Sequence, residues 1–193
     1  MIAPSGGGLA AIDPGYAKRG KGSAVAIFAH GRLQSVDFVR VEALSPGDAT
    51  AIRDTLRALH VATVVWEEPQ IDTRTRASTP AVVHLAAIGG TLAGVLAGMC
   101  RDVARVLPVA PSAWKGSTPK PVAHARLWAV LDEREQRLLG GDATGLAIEA
   151  AQRAGALARW AREGGSYYPG AWTLHNLLDA VGIGAWALGR VRA

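Results

Sequence analysis

The segment from Val61 to Trp66 (VATVVW) is an almost continuous run of β-branched and apolar residues. Such a run is typical of a strand that is buried on both faces. It stops at Glu67-Glu68-Pro69, where charge and proline oppose further strand pairing. A strand of this kind requires a sheet with helices packed on it, so the run favours an α/β fold.

Three shorter patterns precede this strand. Leu9–Ile12 is apolar and ends in the turn signal Asp13-Pro14-Gly15. Ser23–Ala29 (SAVAIFA) predicts a second strand, and the turn His30-Gly31 separates it from Leu33–Val41, where apolar residues stand at roughly alternate positions. Together the three patterns predict an antiparallel meander.

The rest of the chain alternates helical patterns with one further strand. Predicted elements are a helix from Ser45 to about Leu59, a polar loop over residues 70–79, a helix to about Met99, a strand at Val103–Val109, a loop at Pro111–Pro121, and helices at about Val122–Leu139, Gly145–Glu163 and Leu174–Val191, with a loop at Gly164–Gly170 before the last. The order β-β-β-α-β-α-β-α-α-α predicts a mixed five-stranded sheet flanked by helices. A chain of 193 residues suits a single domain over residues 1–193.

The composition of the chain indicates what kind of partner the protein binds and in which compartment it is expected. The net charge of +5 and a pI near 9.9 favour a polyanionic partner such as nucleic acid. Cys100 is the only cysteine, which excludes a disulfide framework and a multi-cysteine zinc site. The first residues lack the basic and apolar regions of a signal peptide, so we expect a cytoplasmic protein.

One uncharged segment has two interpretations. Thr79 to Cys100 contains no Asp, Glu, Lys or Arg and is long enough to span a bilayer. Its Ala and Gly content, its histidine and the lack of an aromatic belt favour a buried helix instead, with no membrane involved. Gly90, Gly94 and Gly98 lie on one face of that helix, which predicts close packing either against a second copy of the chain or against the sheet of the same subunit.

Three carboxylates stand where chemistry is possible. Asp13 ends the first strand, Glu67 ends the buried fourth strand, and Asp179 lies in the last helix. Strands one and four can be neighbours, so their acids can converge at one edge and the helix can add the third. Carboxylates this close repel each other unless a cation neutralises them, and hard oxygen ligands suit Mg²⁺ or Mn²⁺. A pair of such ions about 4 Å apart can cleave a phosphodiester.

Each acid also has a purely structural interpretation. Asp13 can cap the turn that follows it, and Glu67 and Glu68 can be solvated where the strand ends. Asp179 sits in an apolar stretch, where a buried carboxylate needs a partner or an ion. His175 and Asn176 lie on the same face of the helix, as ligands or as structural residues.

The motifs, in order along the chain, resemble those of RuvC Holliday-junction resolvases. The matching segments are Ile12-Asp13-Pro14-Gly15, Gly22 with the strand SAVAIF, Val64-Val65-Trp66-Glu67, Pro111-Ser112 with Lys115 and Lys120, and Asp179-Ala180 followed by VGIGAWAL. The resemblance implies an RNase H-like fold and a homodimeric, Mg²⁺-dependent endonuclease that resolves branched DNA by paired incisions.

The resemblance also assigns roles to residues. Asp13, Glu67 and Asp179 would hold the metals, and Lys115, Lys120, Arg74 and Arg76 would contact DNA phosphates. The family usually has two acids three residues apart in the last helix, whereas here the first position is Asn176. Asn176 can offer an oxygen and His175 a nitrogen, so either is a candidate for the fourth group.

Two other functions fit the same motifs. One is a different RNase H-like nuclease, such as an RNA–DNA hybrid nuclease. The other is a non-catalytic protein that binds DNA junctions. The acids argue against the second, because carboxylates that face phosphates weaken binding.

Overall fold

The computed structural model describes residues 7–15, 22–70, 79–153 and 174–192. Its strands are β1 Gly8–Asp13, β2 Ser23–Ala29, β3 Arg32–Val39, β4 Val61–Glu67 and β5 Arg105–Val109. They form one five-stranded sheet in the order β3-β2-β1-β4-β5. β1, β2 and β3 pair antiparallel, while β4 runs parallel to both β1 and β5. The α/β architecture predicted from the sequence, a mixed five-stranded sheet flanked by helices, is confirmed.

Helices cover both faces of this sheet. They are α1 Pro46–Ala58, α2 Thr79–Met99, α3 Pro111–Lys115, α4 Lys120–Val130, α5 Glu133–Leu138, α6 Asp142–Arg153 and α7 Leu174–Ala187. Leu9 and Ala11 of β1 pack in one core cluster with α7, while Ala10 and Ile12 pack in a second cluster with α1 and α2. Alternate residues of the central strand therefore point to opposite helical layers.

Two predicted elements differ from the structure. The segment predicted as a loop over Pro111–Pro121 contains the short helix α3 and the first turn of α4. The single helix predicted over Val122–Leu139 is two helices, α4 and α5, that break at Asp132. The reason is a capping box: the Asp132 side chain accepts from the N–H of Glu135, and the Glu135 side chain accepts from the N–H of Asp132.

Several predicted boundaries shift by a few residues. β3 ends at Val39 and is followed by a 3₁₀ turn at Val41–Ala43, β5 begins at Arg105, and α7 ends at Ala187. Helix α6 covers Asp142–Arg153. The remainder of that predicted helix, the loop at Gly164–Gly170 and most of the polar loop 70–79 lie outside the described residues.

Helix α2 is the one described helix that has the length and apolar composition of a membrane span, with 28% of its most apolar window buried. Its buried residues are Val82, Gly89, Leu92, Ala93 and Leu96, and the last three lie in the core cluster of the sheet. A Cβ added to Gly89 would lie 2.7 Å from both Pro14 and the Trp66 ring. The close approach of α2 to the ends of β1 and β4 therefore depends on this glycine.

Candidate active site

Strand alternation directs Asp13 and Glu67 to the same face of the sheet. Asp13 stands two residues after Ala11, and Glu67 stands two residues after Val65; both apolar residues face α7. β1 and β4 are parallel, with Ile12 opposite Trp66, so the two acids also share one sheet edge. Asp13 pairs with Ala24 inside the ladder and is 7% exposed, which places it in the sheet rather than in the following turn.

Helix α7 adds the third carboxylate. Asp179 is 1% exposed and lies on the helix face that covers the sheet. Gly182 is one turn further along α7, and a Cβ there would lie 2.7 Å from the Trp114 ring. This small residue lets α3 approach the same part of α7. We refer to Asp13, Glu67 and Asp179 together as the acid cluster.

Glu67 is held by helix α3. The indole Nε1 of Trp114 donates a hydrogen bond to Glu67 Oε2 over 2.7 Å, and Lys115 Nζ lies 3.6 Å from the same oxygen. Trp114 is buried, and Lys115 Nζ stands 4.9 Å from the centre of its ring. Glu68 lies one residue beyond β4, where its N–H donates to Val109 O. The contacts of Glu67 therefore favour it over Glu68 as the member of the site.

Asp179 is held by helix α4. Lys120 forms an ion pair with Asp179 Oδ2, and His124 Nε2 lies 2.9 Å from Asp179 Oδ1. Lys120 and His124 are four residues apart, so both face α7 from successive turns of α4. The carboxylate is therefore bound on both oxygens by one neighbouring helix.

The charges of the acid cluster are only partly balanced. Burial, together with repulsion from Asp179 and Glu67, raises the pKa of Asp13 well above its ordinary value. Burial also opposes ionisation of Asp179, but Lys120 and the His124 hydrogen bond prevail and lower its pKa. The same acids raise the pKa of Lys120 against the effect of its burial. Asp179 is thus stabilised as an anion, whereas Lys120 and Lys115 only partly offset the burial and repulsion that destabilise ionised Asp13.

His175 and Asn176 lie beside the cluster at the start of α7. Burial and the nearby Lys120 lower the pKa of His175 to about 4, so its imidazole is neutral at pH 7. The Asn176 Nδ2 atom lies 3.6 Å from the position that a Cβ on Gly15 would occupy, next to the end of β1. The structure brings both candidates for the fourth group to this edge.

The acid cluster has the donor chemistry of a divalent-cation site but not the arrangement of one. Across residues 7–15, 22–70, 79–153 and 174–192, no three Asp, Glu, His or Cys side chains are grouped so that they could hold a metal ion. The donor chemistry nevertheless suits Mg²⁺, because carboxylate oxygens are its preferred protein ligands. In the arrangement present, the ammonium groups of Lys115 and Lys120 contact Glu67 and Asp179 instead.

The sequence prediction and the structure overlap in part. Lys115 and Lys120, predicted to bind phosphates, lie against the acids themselves. Arg74 and Arg76 lie outside the described residues. Trp114 and His124 were not predicted from the sequence. His124 lies four residues after Lys120, which puts the two residues on one face of a helix. This spacing is informative only when the helix is known to begin at Lys120.

Comparisons with known proteins give distant structural similarities. The chain is similar to T. thermophilus RuvC in complex with a Holliday junction substrate, with 16% sequence identity, a TM-score of 0.43 and 95% of each chain covered. It is similar to a second structure of Thermus thermophilus RuvC, with 16% identity, a TM-score of 0.40 and 95% of each chain covered. No family model matches the sequence, and no curated protein matches it significantly. Similarities of this size assign neither a family nor an activity to the chain.

Proposed function

We propose that this protein is a divalent-metal-dependent endonuclease that cuts branched DNA. The observation that supports the proposal is the acid cluster itself, in which the charges of Glu67 and Asp179 act on the buried Asp13 beside two lysines. A purely structural site would balance its charges, whereas burial and like charges raise the pKa of Asp13. Such uncompensated groups are enriched at functional sites.

Each residue of the site has a role in this proposal. Asp13, Glu67 and Asp179 would hold Mg²⁺, with His175 or Asn176 as a fourth group, and Mn²⁺ would substitute. When bound, the metal would activate water and stabilise the leaving oxygen of a phosphodiester. Lys115 and Lys120 are positioned to bind the phosphate that approaches the acids, because their ammonium groups already lie at this edge. Arg74 and Arg76 would contact phosphates further away.

Binding of a metal ion by Asp179 would require the Lys120 side chain to move. Its ammonium group contacts Asp179 Oδ2, an oxygen that a cation would need. We therefore propose that Lys120 moves from the carboxylate to the DNA phosphate when both ligands are present. The total charge supports such an exchange, since a divalent ion between the acids would also stabilise ionised Asp13.

We also propose that the enzyme acts as a homodimer, since paired incisions need two sites related by symmetry. The outer face of α2 is a stripe of exposed, mostly small residues: Val83, Ala87, Thr91, Gly94 and Gly98. A Cβ on Gly94 or Gly98 would meet nothing within 4 Å, whereas Gly90 faces Trp66. The space beside Gly94 and Gly98 is therefore open within their own subunit. This favours packing of the glycine face against a second copy of the chain over packing against the sheet of the same subunit.

A single substitution tests the dimer. Gly94→Leu adds bulk where the subunit has open space, so the protomer should fold normally and sediment as a monomer. Ala51→Leu, which adds similar bulk to the exposed side of α1, is the control and should leave the sedimentation coefficient unchanged. An unaltered dimer in Gly94→Leu would show that this face is not the interface.

The activity is tested with synthetic substrates. The protein is incubated with four-way, Y-shaped and linear DNA and with an RNA–DNA hybrid, each with Mg²⁺ or with EDTA. We expect Mg²⁺-dependent, symmetric incisions in the four-way junction. Cleavage restricted to the hybrid would favour the other nuclease class, and junction binding with no cleavage in Mg²⁺ or Mn²⁺ would favour a non-catalytic binding protein.

A further inference from the structure

His124 is a fully buried polar residue in the inner face of α4. It is 0% exposed and lies on the same face as Pro121 and Leu127, which are also buried. A leucine or phenylalanine would fill such a position without the cost of desolvating an imidazole. The histidine is instead within hydrogen-bond distance of one acid, with Nε2 2.9 Å from Asp179 Oδ1.

The direction of this hydrogen bond follows from the chemistry of the two groups. Lys120 stabilises Asp179 as a carboxylate, which can only accept hydrogen bonds. Nε2 of His124 must therefore carry the hydrogen and donate it.

We propose that His124 is a positioning residue for Asp179. By fixing Oδ1, the imidazole sets the rotation of the carboxylate and directs Oδ2 toward Lys120 and the rest of the acid cluster. The role resembles the way in which hydrogen-bonded partners outside a metal site orient its ligands. The functional part of this inference rests on the proposed function, whereas the hydrogen bond itself does not.

Two substitutions separate positioning from packing. His124→Phe keeps a ring of similar size and removes the donor. His124→Gln places its amide Nε2 donor at about the reach of the imidazole Nε2 and so restores the bond. Thr144→Val is the control for a lost buried hydrogen bond, because the buried Thr144 hydroxyl donates to Leu139 O.

Three measurements are made on each variant. They are the rate of cleavage at saturating four-way junction with the junction Kd, the affinity for Mn²⁺ alone without DNA, and the melting temperature. We expect His124→Phe to lower the cleavage rate and the Mn²⁺ affinity by about 10- to 100-fold with an unchanged junction Kd. His124→Gln should recover most of both losses. Thr144→Val should lower only the melting temperature.

Two results would overturn the proposal. One is a His124→Phe variant that cleaves and binds Mn²⁺ like the wild type. The other is a pair of variants, His124→Phe and His124→Gln, that lose cleavage in proportion to their melting temperatures, as Thr144→Val would if stability alone mattered. The glutamine variant keeps the test valid where the phenylalanine variant does not fold.

A spectroscopic measurement keeps this inference distinct from the proposed function. With ¹⁵N-labelled histidine, the imidazole signal that disappears in His124→Phe should carry its hydrogen on Nε2 and should shift in Asp179→Asn. An Nε2 without hydrogen would overturn the proposal even in an active nuclease. If the wild type cuts no DNA, the proposed function fails, while the tautomer and the Mn²⁺ affinity still decide the role of His124.

Discussion

Two buried carboxylates in this molecule, those of Glu135 and Asp13, are satisfied by donors to very different degrees. Glu135 is 0% exposed, and Arg190 binds both of its oxygens, with Nη1 2.6 Å from Oε1 and Nη2 2.7 Å from Oε2. The backbone N–H groups of Leu33 and Asp132 donate to it as well. These donors outweigh the effect of burial and lower the pKa of Glu135 to about 2.

Asp13 of the acid cluster shows the opposite balance. Asp13 is nearly as buried as Glu135, but it faces two other carboxylates, and burial with their charges raises its pKa. The difference shows that two buried acids of one fold can affect stability in opposite directions, depending on the groups around them. A buried acid with a complete set of donors holds elements together, whereas one surrounded by like charges decreases stability unless a ligand arrives.

The largest expected effect is on cleavage. Asp13→Asn, Glu67→Gln and Asp179→Asn should each abolish it, a loss on the order of 1,000-fold, while junction binding persists because the phosphate contacts come from other residues. Gel-based cleavage and binding assays on the four-way junction measure both. Glu68→Gln is the matched control and should keep most activity. Normal turnover by any one of the three variants would remove that residue from the site.

The second prediction concerns stability, where the two groups should respond with opposite signs. Glu135→Gln leaves Arg190 without its ionic partner and should lower the free energy of unfolding by about 3 kcal/mol. Asp13→Asn removes a repelled charge and should raise it by on the order of 1 kcal/mol. Urea unfolding in EDTA measures both values. If Asp13→Asn is as destabilising as Glu135→Gln, the contrast between the two groups does not exist.

The third prediction gives the pH dependence of that contrast. A raised carboxyl pKa means that the folded state binds the proton more tightly, so the stability cost of Asp13 is absent below its ordinary pKa of 3.8 and is complete above the raised pKa. The gain from Asp13→Asn should therefore grow as pH rises from about 4. For Glu135 the pKa falls from 4.5 to about 2, so the loss in Glu135→Gln should be full above pH 4.5 and shrink toward pH 2.

Unfolding curves of both variants and the wild type, measured across pH 2 to 9 in EDTA, provide the differences. Each variant is compared with the wild type at the same pH, because burial also lowers the pKa values of His124 and His175. The titration of these histidines changes the free energy of unfolding of all three proteins alike. An Asp13→Asn effect that is constant with pH would contradict the raised pKa.

The convergence of two acids could be predicted from the sequence because it depends on local signals. A buried β-branched run that ends in Glu67 and an apolar run that ends in Asp13 place both acids at strand ends. Parallel pairing of those strands then sets the acids at one edge. Strand alternation and the pattern of turns place each acid at a strand end, whereas the pairing of β1 with β4 is a tertiary contact that these local signals only permit.

The residues that hold the acids could not be predicted in the same way. The sequence Pro119-Lys120-Pro121 has the composition of a loop, but proline is tolerated in the first turn of a helix, and α4 begins there. Only this start places Lys120 and His124 on one face. Similarly, the glycine pattern of α2 did not show that Gly89, rather than Gly90, approaches the sheet, because which face meets a neighbour is decided by packing.

The smallest expected effect is on DNA binding, and it compares the basic residues that accompany the two sets of acids. Arg190 completes the structural group, whereas Lys115 and Lys120 lie beside acids that are proposed to receive a metal. Lys115→Ala and Lys120→Ala should each weaken junction binding and reduce the slope of log K against log salt by about one unit, the value for one lost phosphate contact. Fluorescence anisotropy at several salt concentrations measures the slope.

Arg190→Ala is the matched control for those lysine variants. It removes a cation of the same charge, so a non-specific effect of net charge would change its slope as well. We expect an unchanged slope together with a lower melting temperature, because Arg190 binds Glu135 and the carbonyl oxygens of Gly31 and Val130. Lys115→Ala is the cleaner of the two lysine variants, since Lys120 also stabilises ionised Asp179. Equal slopes in Lys115→Ala, Arg190→Ala and the wild type would mean that the lysines beside the acid cluster are structural, as Arg190 is. The distinction between Glu135 and the acid cluster would then rest on the carboxylates alone.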